Sequence, residues 1–313
     1  MELGELLRQL VFDYTLRTIV LGCALLGIAN GALGAFALLR RQSLIGDSLS
    51  HAALPGVCIA FLLAGETKNP LILLIGAAIS GWLGSVLAAV ITQNTRIKDD
   101  AAQGIVLATF FGTGYVLLSL IQSSAGAGQA GLDKYLFGSA ASLIERDVQT
   151  IAVLSIVALS VLGWFYKEFK LLAFDGEFLA SLGFPRRRLE LLLTSLTVIV
   201  VVVGLQIVGV ILMVAMLIAP AAAARQWTNR LSAMIGISMF VGAAAGVIGA
   251  VVSALEANTP TGPAIVLALT AMVIFSFAFG AERGLVWNAL RARRNRRTAL
   301  AHGSDAPVYA AGD

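Results

Sequence analysis

The sequence predicts an all-α protein, a polytopic transmembrane bundle of about eight or nine spans. Three observations lead there. The 313-residue chain is 58% hydrophobic and only 13% charged, and its mean hydropathy of +0.88 lies far from that of a water-soluble domain. Apolar runs near or above the roughly 18 residues that a spanning helix needs recur along it, among them 18–39, 71–91 and 148–165. These runs are continuous rather than alternating, which argues against a membrane barrel. The 32 glycines, spread among Ala and Ser, would weaken helices in water but let helix backbones approach closely in lipid, and the seven prolines add kinks.

Taken in order, the chain opens with Leu3, Leu6, Leu7, Leu10 and Val11 at helical spacing, the pattern of a short helix lying on the membrane surface. Ala35-Phe36-Ala37 resembles a signal cleavage site, yet Glu2, Glu5 and Asp13 outweigh Arg8 and Arg17, and a cleaved signal wants a basic start. Spans are expected near 17–39, 43–64, 71–93, 101–121, 148–165, 190–207, 209–224, 231–255 and 262–281. Three basic connections set the orientation: Arg40-Arg41, the segment 166–190 with Lys167, Lys170 and Arg186-Arg187-Arg188, and the tail Arg291–Arg297. The positive-inside rule places these in the cytoplasm. It places the N-terminus and the loops 65–70, 122–147 and 256–262 outside. The stretch 190–224 is barely long enough to cross twice, but two crossings keep Arg225 and Arg230 inside, so two short helices turning near Gly204-Leu205-Gln206 and Gly209 are expected. No tandem repeat and no separate soluble domain are evident. Residues 1–282 form the membrane domain, and 283–313 read as a disordered basic cytoplasmic tail attracted to anionic lipid.

Cys23 and Cys58 fall inside predicted spans, where a small buried side chain is the usual role, so they imply no disulfide framework. The net charge of +4 does not point to nucleic acid, because the basic residues cluster at span ends and in the tail.

Chemistry concentrates in the second span. Asp47 and His51 stand four residues apart there, so a helix puts them on one face, about 6 Å apart at Cβ. A carboxylate and an imidazole in a span are costly unless they face a cavity or a partner, which makes them functional candidates. Carboxylate oxygen and imidazole nitrogen together suit Mn²⁺, Fe²⁺ or Zn²⁺. Counting helical rise from Arg41 puts the pair roughly 9 and 15 Å deep, near the bilayer middle. Ser50 and Cys58 on the same span, and Glu256 and Asn258 at the outer rim of the eighth, are further candidates for the ion path. A purely structural Asp–His pair and simple hydration of the rim residues are the competing readings.

Five segments carry a family resemblance: Leu39-Arg40-Arg41-x-Ser43-Leu44-Ile45-Gly46-Asp47-x-Leu49-Ser50-His51-Ala52-x-Leu54-Pro55-Gly56, Arg96–Gly104, Gln129–Gly138, Ala219–Ala222 and Pro260–Leu267. Over about residues 10–282 the chain resembles the membrane permeases of bacterial manganese, zinc and iron ABC importers. The resemblance implies a channel-forming subunit in the bacterial inner membrane, paired with a second permease protomer. It further implies that the subunit receives metal from an extracytoplasmic binding protein and is driven by a cytoplasmic ABC ATPase dimer that holds the ATP. No intrinsic cofactor is implied, since the metal is the cargo. Asp47 and His51 look like the family's path residues, and the Gln129–Asp133 segment looks more like manganese-type members. Phe174–Gly183 resembles the helix that couples such permeases to their ATPase, which singles out Asp175, Glu177, Ala180, Ser181 and Gly183. Gly176 and Leu179 depart from the family pattern, which carries an acid and a small residue there. Gly183 can end that helix and Pro185 keeps it short.

The residues agree that the motor lies elsewhere. A phosphate-binding loop needs Gly-Lys-Ser/Thr, and none of Lys68, Lys98, Lys134, Lys167 or Lys170 follows a glycine. An intramembrane His-Glu-x-x-His protease is unlike this chain, whose other histidine is His302 in the tail. A proton-coupled carrier would use Asp47 and His51 as a relay instead. An importer of metal chelates or corrinoids would need no bare-ion pair.

Overall fold

A computed structural model describes residues 14–65, 69–123, 143–255 and 259–287. Among these residues the regular structure is helical: α1 (Tyr14–Leu39), α2 (Ile45–Leu63), α3 (Pro70–Asn94), α4 (Asp99–Ser123), α5 (Glu145–Trp164), α6 (Tyr166–Phe174), α7 (Gly176–Ser181), α8 (Arg186–Arg225), α9 (Leu231–Leu255) and α10 (Thr261–Phe279). Nine stretches of them are long and apolar enough to cross a membrane, and each expected span coincides with one of these. The surface helix expected before Tyr14, the loop segment 124–142, the outer-rim residues Glu256 and Asn258 and the tail beyond 287 lie outside the described residues.

Helix α8 accounts for two of the nine. Gly209 breaks it with φ 79° and ψ 171°, a conformation open essentially to glycine alone. The chain reverses there, so that limb Arg186–Leu205 lies beside limb Val208–Arg225. Met213 Sδ lies so close to Gly204 that even a β-carbon on Gly204 would clash with it. Both ends of α8, Arg186 and Arg225, therefore meet at one end of the bundle, where they line the same cavity. The expected turn near Gly204–Gly209 is where the hairpin forms.

Burial sorts the helices by depth. The most apolar windows of α1 and α2 are 78% buried, against 22% for α4, α5 and α10, so α1, α2 and the α8 hairpin form the centre and the others a rim. The centre holds Leu26, Leu33, Phe36, Leu49, Leu212, Met213 and Met216 with under 2% of their surface exposed. Large side chains on the rim, such as Leu120, Phe240 and Leu267, point outward and are exposed, as a lipid-facing surface requires. The most extensive helix pair is α1 against α9. Gly27 faces Gly242 there, and the Ser238 hydroxyl donates to the Gly31 carbonyl at 2.7 Å, so close backbone approach is combined with an interhelical hydrogen bond.

One expectation needs correction. The segment between α1 and α2 is not helical: Arg41 has φ 58°, and α2 begins only at Ile45. Counted from Leu44, where the helical hydrogen bonds start, Asp47 and His51 stand about 5 and 10 Å up the helix, nearer the basic end of the bundle than an unbroken helix from Arg41 would put them.

Candidate functional site

Asp47 lies in the first turn of α2, where the helix N-terminus favours a carboxylate. One turn on, His51 Nε2 approaches Asp47 Oδ1 to 3.4 Å. The two side chains are half-buried, with 37% of Asp47 and 23% of His51 still open, so both groups are reachable from one face of the protomer. The imidazole is positioned by packing: the Phe111 ring of α4 meets it edge to face with centroids 4.7 Å apart, and Tyr115 continues the aromatic row. Nδ1 is buried and has no hydrogen-bond partner. The polar capacity of His51 is thus directed through Nε2, toward Asp47 and the open face. Phe111 was not anticipated from the sequence, since only the packing of α4 on α2 brings it to His51.

Among the described residues no third His, Cys, Asp or Glu joins the pair to make a metal-sized cluster. Cys58 does not converge on it: the thiol is fully buried and donates to the Gly114 carbonyl of α4 at 3.7 Å. Ser50 is also turned away. It is 2% exposed, and its hydroxyl donates to the Gly46 carbonyl within α2. Ser50 stands about 100° around the helix from His51, on the side of α2 that packs into the bundle.

The second candidate region forms as one compact unit. Asp175 caps α7 by accepting from the Phe178 amide at 2.9 Å. The other end is closed by a Schellman pattern, with Gly183 (φ 84°) donating to Ala180 and Phe184 donating to Leu179. Leu179 is fully buried and anchors the helix to the bundle. Glu177, Ala180 and Ser181 face outward beside the exposed apolar side chains Phe178 and Leu182. Leu179, one departure from the family pattern, therefore sits beneath the exposed surface and does not alter it.

Beside α7 opens a cavity of about 920 Å³ at the basic end of the bundle. Glu190 organises its wall: it accepts from Arg186 Nε at 3.1 Å and from Gln93 at 3.5 Å, and pairs with Arg40 at 3.6 Å. Burial pulls the Arg40 guanidinium below its usual pKa, and Glu190 and Asp99 oppose that pull. A lone acid after three arginines gave no hint of this hub, whose members come from α3, α8 and the linker between α1 and α2.

Residues 12–280 match the ABC 3 transport family. Over 288 residues the chain is 48% identical to the zinc transport system membrane protein TroC of Treponema pallidum (strain Nichols), covering 92% of this chain and 96% of that protein. It is also 48% identical over 279 residues to the manganese transport system membrane protein MntC of Bacillus subtilis (strain 168), covering 89% of this chain and 64% of that protein. Among solved structures, PsaBC from Streptococcus pneumoniae in complex with Fab aligns with a TM-score of 0.77 and 32% identity, over 90% of this chain and 98% of that one. An inward-facing conformation of a putative metal-chelate type ABC transporter shares the fold at a TM-score of 0.65 and 19% identity, over 88% of this chain and 90% of that one.

Proposed function

The chain belongs to the ABC 3 transport family, and on that premise we propose that it is the membrane-spanning permease subunit of an importer of divalent transition-metal ions. It is a multi-pass membrane protein and a transport subunit rather than an enzyme. The observation that carries the cargo is the Asp47–His51 pair. Two ligands held about 2.1 Å from one ion at angles of 90–110° lie roughly 3.0–3.4 Å apart, and Nε2 and Oδ1 stand 3.4 Å apart here. Manganese and zinc are both carried by close relatives named for them. The Gln129–Asp133 segment favours manganese.

The same pair supports a dimer. A half-open carboxylate and imidazole on an otherwise apolar helix cannot face lipid without large cost, so this face is covered by protein or lines a water-filled path. Among the described residues one chain brings only these two ligands together, and a six-coordinate Mn²⁺ wants more. Two protomers related by a two-fold axis would bring four ligands to one ion, with water completing the shell. Under the positive-inside rule the basic end lies in the cytoplasm of a bacterial inner membrane. There α7 docks on an ABC ATPase, whose ATP cycle exposes the pair to alternate sides. An extracytoplasmic binding protein delivers the metal to the other side.

Uptake into vesicles that contain the permease, its ATPase and the binding protein tests this. Asp47→Ala or His51→Ala should lower Mn²⁺ uptake by about a hundredfold or more while membrane insertion and ATPase association persist. Wild-type uptake in either variant, or uptake independent of ATP, would overturn the reading.

A further inference from the structure

We propose that the cavity at the basic end is a binding site for a phosphate-bearing anion, filled in the membrane by the headgroup of an anionic phospholipid. Six arginines line it, Arg40, Arg41, Arg186, Arg187, Arg225 and Arg283, against two carboxylates, Asp99 and Glu190. Glu190 is already engaged by Arg40 and Arg186. The side chains of Arg41, Arg187 and Arg225 make no hydrogen bond or ion pair with the described residues. Arg225 is half-buried and feels the like charge of Arg283. Such a chamber repels a divalent cation, so it is not where the metal rests on its way out. Its chemistry is that of anion recognition, in which guanidinium forks pair with phosphate oxygens.

The walls select among phosphates. Val86 and Val90 of α3 and Phe277 of α10 line the same chamber, and Val90 and Phe277 are among the exposed apolar side chains of the rim. A ligand that fills the site therefore presents charge to the arginines and hydrocarbon to α3 and α10. Basic pockets between spanning helices at the cytoplasmic side bind lipid headgroups on this principle. Gly176, the first residue of α7, lines the chamber. A bound headgroup would therefore brace the base of α7 against α3 and α8.

The test is the thermal unfolding midpoint of the purified full-length chain in uncharged detergent, titrated separately with phosphatidylglycerol, phosphatidylcholine and inorganic phosphate. Stabilisation by phosphatidylglycerol and not by phosphatidylcholine is expected, and R41Q/R187Q/R225Q should weaken it. Each charge removed costs about fivefold in affinity, and the three together about a hundredfold. R41K/R187K/R225K keeps the charges but not the guanidinium forks, so its binding should fall between wild type and the glutamine variant, which separates lost recognition from a damaged fold. R293Q/R294Q/R296Q/R297Q, a control for lipid attraction by the basic tail, should leave the rise in unfolding midpoint as in wild type. A phosphate effect of equal size, lost in the same glutamine variant, would support the anion site with a soluble occupant. Equal stabilisation by both lipids with no phosphate effect, or a shift unchanged by the glutamine substitutions, would overturn the proposal. Because the readout is binding, its failure leaves the transport function untouched, and failure of metal uptake leaves this site standing.

Discussion

His51 is fixed by a ring contact on one side and a carboxylate on the other, which gives its neighbours separate roles. Phe111 touches no ion in the proposed path, yet it holds the imidazole edge to face at 4.7 Å. Phe111→Ala should lower metal affinity by about tenfold, while Phe111→Tyr, which keeps the ring, should restore most of it. Isothermal titration with Mn²⁺ in detergent checks both. Glu190 presents the opposite case, a carboxylate whose work is structural. Glu190→Gln leaves Arg40 half-buried with its nearest counter-charge gone and weakens the contacts from Gln93 and Arg186. A hydrogen-bonded charge of this kind is worth about 2 kcal/mol, so the unfolding midpoint should fall by several degrees. An unchanged midpoint would mean that solvent already screens the hub.

At the scale of elements, two short devices decide how helices end and turn. Gly209 at φ 79° lets α8 reverse within the bundle. Gly209→Ala should cost about 2 kcal/mol of backbone strain, seen as reduced yield of folded protein and a lower unfolding midpoint. In α7, Asp175 supplies the cap and Glu177 the exposed charge. Asp175→Ala should loosen α7 by about 1 kcal/mol and raise its amide hydrogen exchange. Glu177→Lys should leave α7 folded but uncouple ATP hydrolysis from uptake. If both variants only reduce stability and coupling stays intact, α7 is an ordinary linker helix.

For the whole molecule, the open face around Asp47 and His51 raises the question of what lies against it. Tyr115 is 61% exposed on α4, in the aromatic row that begins at His51. Tyr115→Cys, in a background lacking Cys23 and Cys58, should therefore crosslink two protomers in membranes. Ser50 makes a poor probe, because it is buried inside one protomer. Crosslinks that fail at Tyr115 in every nucleotide state would separate the two Asp47–His51 pairs and sink the shared site.

The sequence by itself determined the helical membrane class, the nine spans found among the described residues, the hairpin within 190–224 and the Asp47–His51 pair. Hydropathy and the i, i+4 spacing act along the chain, and both survive folding unchanged. Tertiary structure decided what depends on distant residues. It set Phe111 against His51, turned Cys58 and Ser50 away from the open face, and joined Arg40, Gln93 and Arg186 at Glu190. It also gathered six arginines from the linker between α1 and α2, both ends of α8 and the segment after α10 into one chamber. Each of these joins residues far apart in the chain, and which helix faces pack together is a property of the assembled bundle that no local pattern encodes.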